Sequence, residues 1–98
     1  MKVIWTPRAQ LRLQQVVDHI AEDQPVNAKR WVRAILARGE QIASQPRSGR
    51  QVREYADVHV REVIEGNYRI IYRLRPSQID VLTVRHAARP LPRHRRDL

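Results

Sequence analysis

Two neighbouring segments near the end of the chain place arginines among apolar residues, and they constrain the fold more than any other part. Residues 67–74 read Asn-Tyr-Arg-Ile-Ile-Tyr-Arg-Leu, and residues 79–89 read Ile-Asp-Val-Leu-Thr-Val-Arg-His-Ala-Ala-Arg. This content predicts two β-strands joined by a tight connection. Because a strand buries one face and an arginine is not buried without a partner, Arg69 and Arg85 must face an open surface or pair with acids. We therefore expect a small sheet that presents cations to something negative.

The composition limits the classes of protein that the chain can belong to. Its 98 residues suit one domain, and its 42% hydrophobic content is enough for a real core. The absence of cysteine excludes disulfides, thiolate catalysis and a cysteine-based zinc site, and we expect no cofactor or metal. No apolar run approaches a membrane span and no signal-peptide pattern precedes the first strand, so we expect a cytoplasmic protein with no membrane partner.

The charge of the chain points to the chemistry of its partner. There are 19 lysines and arginines against 10 acids, which gives a net charge of +9. Such a balance predicts attraction to an acidic partner, which is either a nucleic acid or an acidic protein.

Periodicity predicts the order of the elements. After a first strand at residues 2–5, Thr6 and Pro7 mark the start of a helix over residues 7–22, and a second amphipathic helix follows over residues 26–44. Residues 45–57 have no clear period and are expected to be irregular. Three strands follow, and they are expected at residues 58–64, 68–74 and 78–85.

This order predicts an α+β fold, β-α-α-β-β-β, with a helical hairpin packed on one face of a small antiparallel sheet. Arg61, Arg69 and Arg85 come from three successive strands and could form a patch. We expect residues 1–89 to form a single domain and residues 90–98 to be a frayed basic tail, because Pro90 and Pro92 forbid a regular continuation.

The chain resembles the toxins of bacterial type II toxin–antitoxin systems, the RelE/ParE superfamily, and most closely its ParE branch. The resemblance spans residues 3–89 and rests on the order and spacing of several short pieces. These are Trp5-Thr6-Pro7 with Ala9 and Leu13, Pro46 with Gly49-Arg50, Tyr68 to Tyr72, and Ile79, Val81 and Val84 with Arg85 to Arg89.

The resemblance implies a partner and two alternative activities. The partner is a cognate antitoxin, expected to be rich in acidic and apolar residues and to form a hetero-oligomer with the toxin. ParE-type toxins are associated with inhibition of DNA gyrase, whereas RelE-type toxins cut messenger RNA on the ribosome. A third alternative is a toxin fold that has lost its activity and only binds the antitoxin.

Departures from the RelE pattern favour the ParE alternative. The central arginine is matched by Arg69, but the two lysine positions fall near Val60 and Glu62, the later arginine falls near Ala87 and the terminal tyrosine near Arg93. A subgroup of the superfamily uses a glutamate and a histidine, which keeps Glu62 and His86 open as an alternative.

Each candidate residue also has a structural interpretation. His86 is expected to be a hydrogen-bonding structural residue, Glu62 an ion-pair partner, and Tyr68 and Tyr72 packing residues.

We therefore predict a protein that acts by binding, with no catalytic residues; direct binding of nucleic acid is possible but not favoured. The surface that contacts the target or the antitoxin is predicted to comprise Arg61, Glu62, Arg69, Arg73, Arg85, His86 and Arg89.

Overall fold

Two helices form an antiparallel hairpin directly after the first strand. In the computed structural model, which describes residues 1–98, helix α1 spans Pro7–Asp23 and helix α2 spans Pro25–Ser44. The Thr6 side chain accepts a hydrogen bond from the Ala9 N–H at 3.1 Å, and Pro7 needs no donor at the first helical position. Gln24 alone separates the helices, so they pack against each other. Neither helix has the length and apolar character needed to cross a membrane.

The five strands form one sheet, in the order β1-β5-β4-β3-β2. Their bounds are Lys2–Trp5 for β1, Arg50–Gln51 for β2, Val60–Glu65 for β3, Tyr68–Leu74 for β4 and Gln78–His86 for β5, and a 3₁₀ turn follows at Arg95–Asp97. The predicted α+β fold with a helical hairpin on a sheet is confirmed. Two details differ from the expectation: β2 lies within the segment expected to be irregular, and β1 pairs parallel with β5. The chain between β1 and β5 is long enough for the crossover that a parallel pair needs.

A two-residue turn joins β3 to β4. Gly66 has a φ of 59° and no other residue has a positive φ. A positive φ at the first central position alone is the pattern of a type II′ turn, which matches the right-handed twist of the flanking strands. The Gly-Asn order, unusual for a type I′ turn, is therefore the order that this turn requires.

The sheet buries apolar residues on both faces. The main core lies between the sheet and the helices and comprises Ala9, Ile35, Ile42, Val63, Ile70, Tyr72, Ile79, Val81 and Val84. A second core lies on the opposite face and comprises Val52, Tyr55, Val60, Ile71 and Leu98, with Leu82 and Leu91 packed against it. We call this opposite face, away from the helices, the distal face.

The end of the chain does not fray. Leu98 is only 3% exposed, and the Tyr55 hydroxyl donates to the Pro92 carbonyl at 2.8 Å. Arg95 pairs with Asp57 at 3.2 Å, and Arg8 donates to the Leu98 main-chain oxygen at 2.7 Å. The expectation of a frayed tail is wrong because the prolines only prevent a strand, whereas Leu98 supplies the apolar side chain that anchors the segment to the distal face.

Candidate functional site

The register of the sheet divides the predicted residues between its two faces. Arg69 lies directly opposite Arg85, and Arg73 lies opposite both Val60 and Asp80. Ile71 belongs to the distal core and lies between Arg69 and Arg73 along β4, so Arg69 and Arg73 lie on the distal face. Glu62 pairs with Ile71 across the sheet and lies on the same face. Arg61 pairs with the fully buried Tyr72 and faces the helices, where its Nη1 donates to the Gly49 carbonyl at 2.9 Å. Arg61 is the neighbour of Glu62 in β3, and successive residues of a strand point to opposite faces of the sheet. Arg61 therefore forms no patch with Arg69 and Arg85.

Two carboxylates hold Arg69. Its Nε donates to Glu62 Oε2 at 2.7 Å, and its two terminal nitrogens donate to the two oxygens of Glu54 at 2.9 and 3.1 Å. The other oxygen of Glu62 accepts from Arg50 Nε at 2.8 Å. The Glu62 side chain is 0% exposed and that of Arg69 is 9% exposed. We call these four residues, Arg50, Glu54, Glu62 and Arg69, the distal ion network.

The network has opposite effects on the pKa values of its acid and base. The hydrogen bond from Arg69 lowers the pKa of Glu54 below 4.5. The hydrogen bonds to Glu54, followed by those to Glu62, raise the pKa of the Arg69 guanidinium against the opposing effect of burial. Arg69 is thus a permanently charged group, and each of its three nitrogens already donates a hydrogen bond within the chain. Arg50 and Glu54 were not predicted as its partners, since the segment that carries them has no periodicity to place them.

The tyrosines of β4 are packing residues with defined partners. Tyr72 is fully buried; its hydroxyl donates to the Pro46 carbonyl at 2.8 Å and accepts from the Gly49 N–H at 3.0 Å. The Tyr68 ring meets Trp31 edge-on at 5.0 Å and His86 edge-on at 5.3 Å. These contacts fix the loop after α2 and the end of β5 to the middle of the sheet.

His86 helps to turn the chain after β5. Its Nδ1 accepts a hydrogen bond from the Ala88 N–H at 3.0 Å, and its carbonyl accepts from the Arg89 N–H at 3.0 Å. Because Nδ1 is an acceptor in this arrangement, the neutral ring carries its proton on Nε2. The His86 ring packs on Tyr68, and its Nε2 takes part in none of these hydrogen bonds.

The remaining predicted cations meet helix α1 at the end of β5. A cleft of roughly 450 Å³ is lined there by Arg12, Gln15, Val16, His19, Tyr68, Val84, Arg85, His86 and Arg89. We call it the α1–β5 cleft. No carboxylate lines it. Arg12 and His19 were not predicted, although their seven-residue separation, with Val16 between them, places them on one side of a helix.

Arg85 is a half-buried cation of the α1–β5 cleft. Its Nη1 donates to the Pro90 carbonyl at 3.3 Å, while its Nε is buried without a hydrogen-bond partner. Burial, and then the charge of Arg12, lower the pKa of this guanidinium. A negative group near Arg85 would therefore relieve an unfavourable environment.

A second cleft lies beside the end of the chain. It has a volume of roughly 600 Å³, and its lining includes Arg8, Arg73, Arg95 and Arg96. Arg73 thus belongs to a different surface from Arg85, His86 and Arg89. The seven predicted residues are distributed over the distal ion network, the α1–β5 cleft, this second cleft and, for Arg61, the helix-covered face.

A match to a known protein family covers most of the chain. The model for the ParE toxin of the type II toxin–antitoxin system parDE matches residues 3–91. The chain belongs to the ParE toxin family. No curated protein matches the sequence.

Solved structures of toxin–antitoxin proteins share the fold of this ParE-family toxin. A chain of the chromosomal ParDE system from P. aeruginosa superposes with a TM-score of 0.74 at 21% identity, covering 88% of this chain and 95% of that one. A chain of the RelBE2 toxin–antitoxin complex from Mycobacterium tuberculosis gives 0.64 at 21% identity over 87% and 95%. The YoeB/ParE toxin from Agrobacterium tumefaciens gives 0.60 at 17% identity over 88% and 98%.

Proposed function

We propose that this ParE-family toxin acts in the cytoplasm by binding and inhibiting DNA gyrase, and that a cognate antitoxin neutralises it. The observation that carries the proposal is the state of Arg69. All three of its guanidinium nitrogens donate to Glu54 or Glu62, so it contributes little free positive charge to a phosphate in a cleavage reaction. A surface that retains its superfamily's central arginine in a closed ion network is better suited to binding than to phosphate chemistry. Gyrase as the target rests on the family alone.

Induction in cells without the antitoxin tests the proposal. We expect growth to stop with a DNA-damage response and with intact messenger RNA. Growth arrest with cleaved message and no damage response would contradict the proposal. Normal growth, with retained binding of the antitoxin, would identify an inactive module instead.

One observation favours ribosome-dependent RNA cleavage as a second candidate. The α1–β5 cleft brings Arg85, Arg89 and His86 together, and His86 has a nitrogen outside the contacts described above. Cations beside a phosphate and a group that moves a proton are what attack by a 2′-hydroxyl needs. Primer extension on ribosome-bound message tests this candidate: new 5′ ends that disappear in His86→Ala would support it, and intact message would exclude it.

A further inference from the structure

The second cleft, beside the end of the chain, is a positive surface that the proposed function leaves unused. Four arginines and a histidine are among its eight lining residues, and no carboxylate lines it. These five side chains are Arg8, Arg73, His94, Arg95 and Arg96. The cleft shares no residue with the distal ion network or with the α1–β5 cleft. Only Arg73 was predicted from the sequence as a contact residue, so the fold brings the other four to it.

Two of the four arginines are already bound within the chain. Arg95 pairs with Asp57 at 3.2 Å, and Arg8 donates to the main-chain oxygen of Leu98 at 2.7 Å. These contacts hold the basic end of the chain against helix α1 and the loop before β3. The end of the chain therefore forms one wall of the cleft, and its cations are placed before any ligand arrives.

The other two arginines, Arg73 and Arg96, keep their charge for a ligand. Neither guanidinium has an ion pair or a hydrogen bond within the chain. The acid opposite Arg73 in the sheet, Asp80, is already bound by Arg75 at 3.0 Å and by Gln78 at 2.6 Å. Arg73 is half-buried on a strand, whereas Arg96 is exposed in the anchored 3₁₀ turn. Like charges held at one cleft repel each other, and a bound anion removes that repulsion.

The lining of the cleft favours a phosphate over a peptide or a stacked base. Its two apolar residues are Leu98, which is 3% exposed, and Leu82, which packs against the distal core, so little apolar surface is left for a peptide. No tyrosine, tryptophan or phenylalanine lines the cleft, and single-stranded nucleic acids are bound largely through bases stacked on such rings. Guanidinium groups match the oxygens of a phosphate in charge and geometry.

We propose that the second cleft binds the phosphate backbone of a nucleic-acid duplex, with Arg73 and Arg96 as its phosphate contacts. The site goes beyond the proposed function, because it requires neither gyrase nor the antitoxin. A duplex presents a row of phosphates on a rigid helix, so binding needs cations held at a surface and no contact with bases. Free phosphates share this chemistry and serve as competitors in the test.

Fluorescence anisotropy with labelled DNA tests the inference on the intact protein over a series of salt concentrations. We expect two duplexes of unrelated sequence to bind equally, because phosphates carry no sequence information. Affinity should fall as salt rises, and single-stranded DNA of the same length should bind more weakly because no ring receives its bases. Inorganic phosphate and ATP should displace the duplex only at millimolar concentrations. Displacement by micromolar ATP would assign the cleft to a free nucleotide and overturn the duplex as its ligand.

Two double variants that remove the same number of charges separate the cleft from net charge. Arg73→Gln with Arg96→Gln changes the cleft, whereas Arg30→Gln with Arg33→Gln changes exposed positions of α2 outside it. We expect the cleft variant to bind the duplex about tenfold more weakly, with a plot of log affinity against log salt that is shallower by about 2. The α2 variant should change affinity by less than about threefold and keep the slope.

Two further variants exclude a folding defect and a different surface. Arg73→Lys with Arg96→Lys keeps both charges and should retain most of the affinity. Arg12→Gln with Arg89→Gln changes the α1–β5 cleft and should behave as the α2 variant does. Equal losses in all glutamine variants, a loss confined to the α1–β5 cleft variant, or no binding of the duplex by the unaltered protein at low salt would overturn the inference.

The experiment contains no gyrase, so its outcome is separate from that of the proposed function. A protein that binds the duplex through Arg73 and Arg96 but leaves gyrase unaffected keeps this site and loses the proposed target. A protein that inhibits gyrase and does not bind the duplex keeps the target and loses the site.

Discussion

At the scale of single residues, Arg69 is a cation that two carboxylates of the same chain enclose. Its side chain lies between Glu54 and Glu62 and is 9% exposed. This is the second of the two environments expected for it, pairing with acids instead of an open surface. Pairing of a buried charge within the chain stabilises the folded state only while all partners remain, because an uncompensated buried charge is costly.

Removal of the Arg69 side chain should therefore destabilise the protein strongly. Arg69→Ala leaves the buried Glu62 with Arg50 alone and is expected to lower the free energy of unfolding by about 3–5 kcal/mol. Arg73→Ala, on the same face but without an ion pair, is the matched control and should cost about 0.5 kcal/mol. Urea denaturation measures both values, and equal effects would show that the distal ion network contributes nothing to stability.

Acid should weaken the distal ion network through Glu54. The pKa of Glu54 is lowered in the folded state, so its carboxylate stabilises the fold above its unfolded pKa of about 4.5, and this contribution is lost as the pH falls through the lower folded value. Glu54→Gln should therefore make stability less dependent on pH below 4.5. Glu40→Gln, at an exposed position of α2 outside the network, serves as the control for the loss of one carboxylate. Thermal unfolding over a pH series makes the comparison, and identical acid limbs for wild type and Glu54→Gln would refute the assignment.

At the scale of elements, the glycine within helix α2 and the glycine before strand β2 should respond in opposite ways to an added methyl group. A Cβ added at Gly39 would lie 3.6 Å from the Trp5 ring, which is an ordinary contact, so Gly39→Ala should raise stability by up to about 1 kcal/mol through helix propensity. A Cβ added at Gly49 would lie 2.7 Å from the Glu62 carbonyl and would also clash with Tyr72, so Gly49→Ala should cost about 1–3 kcal/mol. Chemical denaturation of the pair checks the signs, and effects of the same sign would contradict the packing described.

The segment after β5 is an element whose anchoring can be measured. Leu98→Ala should lower the free energy of unfolding by about 2–5 kcal/mol and expose residues 90–98 to protease, because Leu98 belongs to the distal core. Arg93→Ala, at an exposed position of the same segment, should leave the protease sensitivity unchanged. Equal cleavage rates for the two variants would show that the segment is not held by Leu98.

At the scale of the whole molecule, periodicity predicted most of the fold but little of the surface. Regular spacing located both helices, since one buried face imposes a period on the sequence, and apolar runs between turn residues located the strands β3, β4 and β5. Pairing between distant segments leaves no such local pattern. Three features are therefore visible only in the structure: the parallel pairing of β1 with β5, the position of Glu54 beside Arg69, and the anchoring of Leu98. Arg85, His86 and Arg89 were predicted together and do share a cleft, because they are neighbours in sequence, whereas their companions Arg12 and His19 come from a helix far along the chain.

The proposed action of this toxin is binding to gyrase, and a gyrase supercoiling assay tests that action most directly. Purified protein is added to gyrase, relaxed plasmid and ATP, and a parallel reaction supplies ribosomes with bound message. We predict that supercoiling is inhibited as the protein approaches equimolar amounts, that the antitoxin restores it, and that the message stays intact. Unimpaired supercoiling at micromolar protein, together with message cut at defined sites, would contradict action by binding to gyrase.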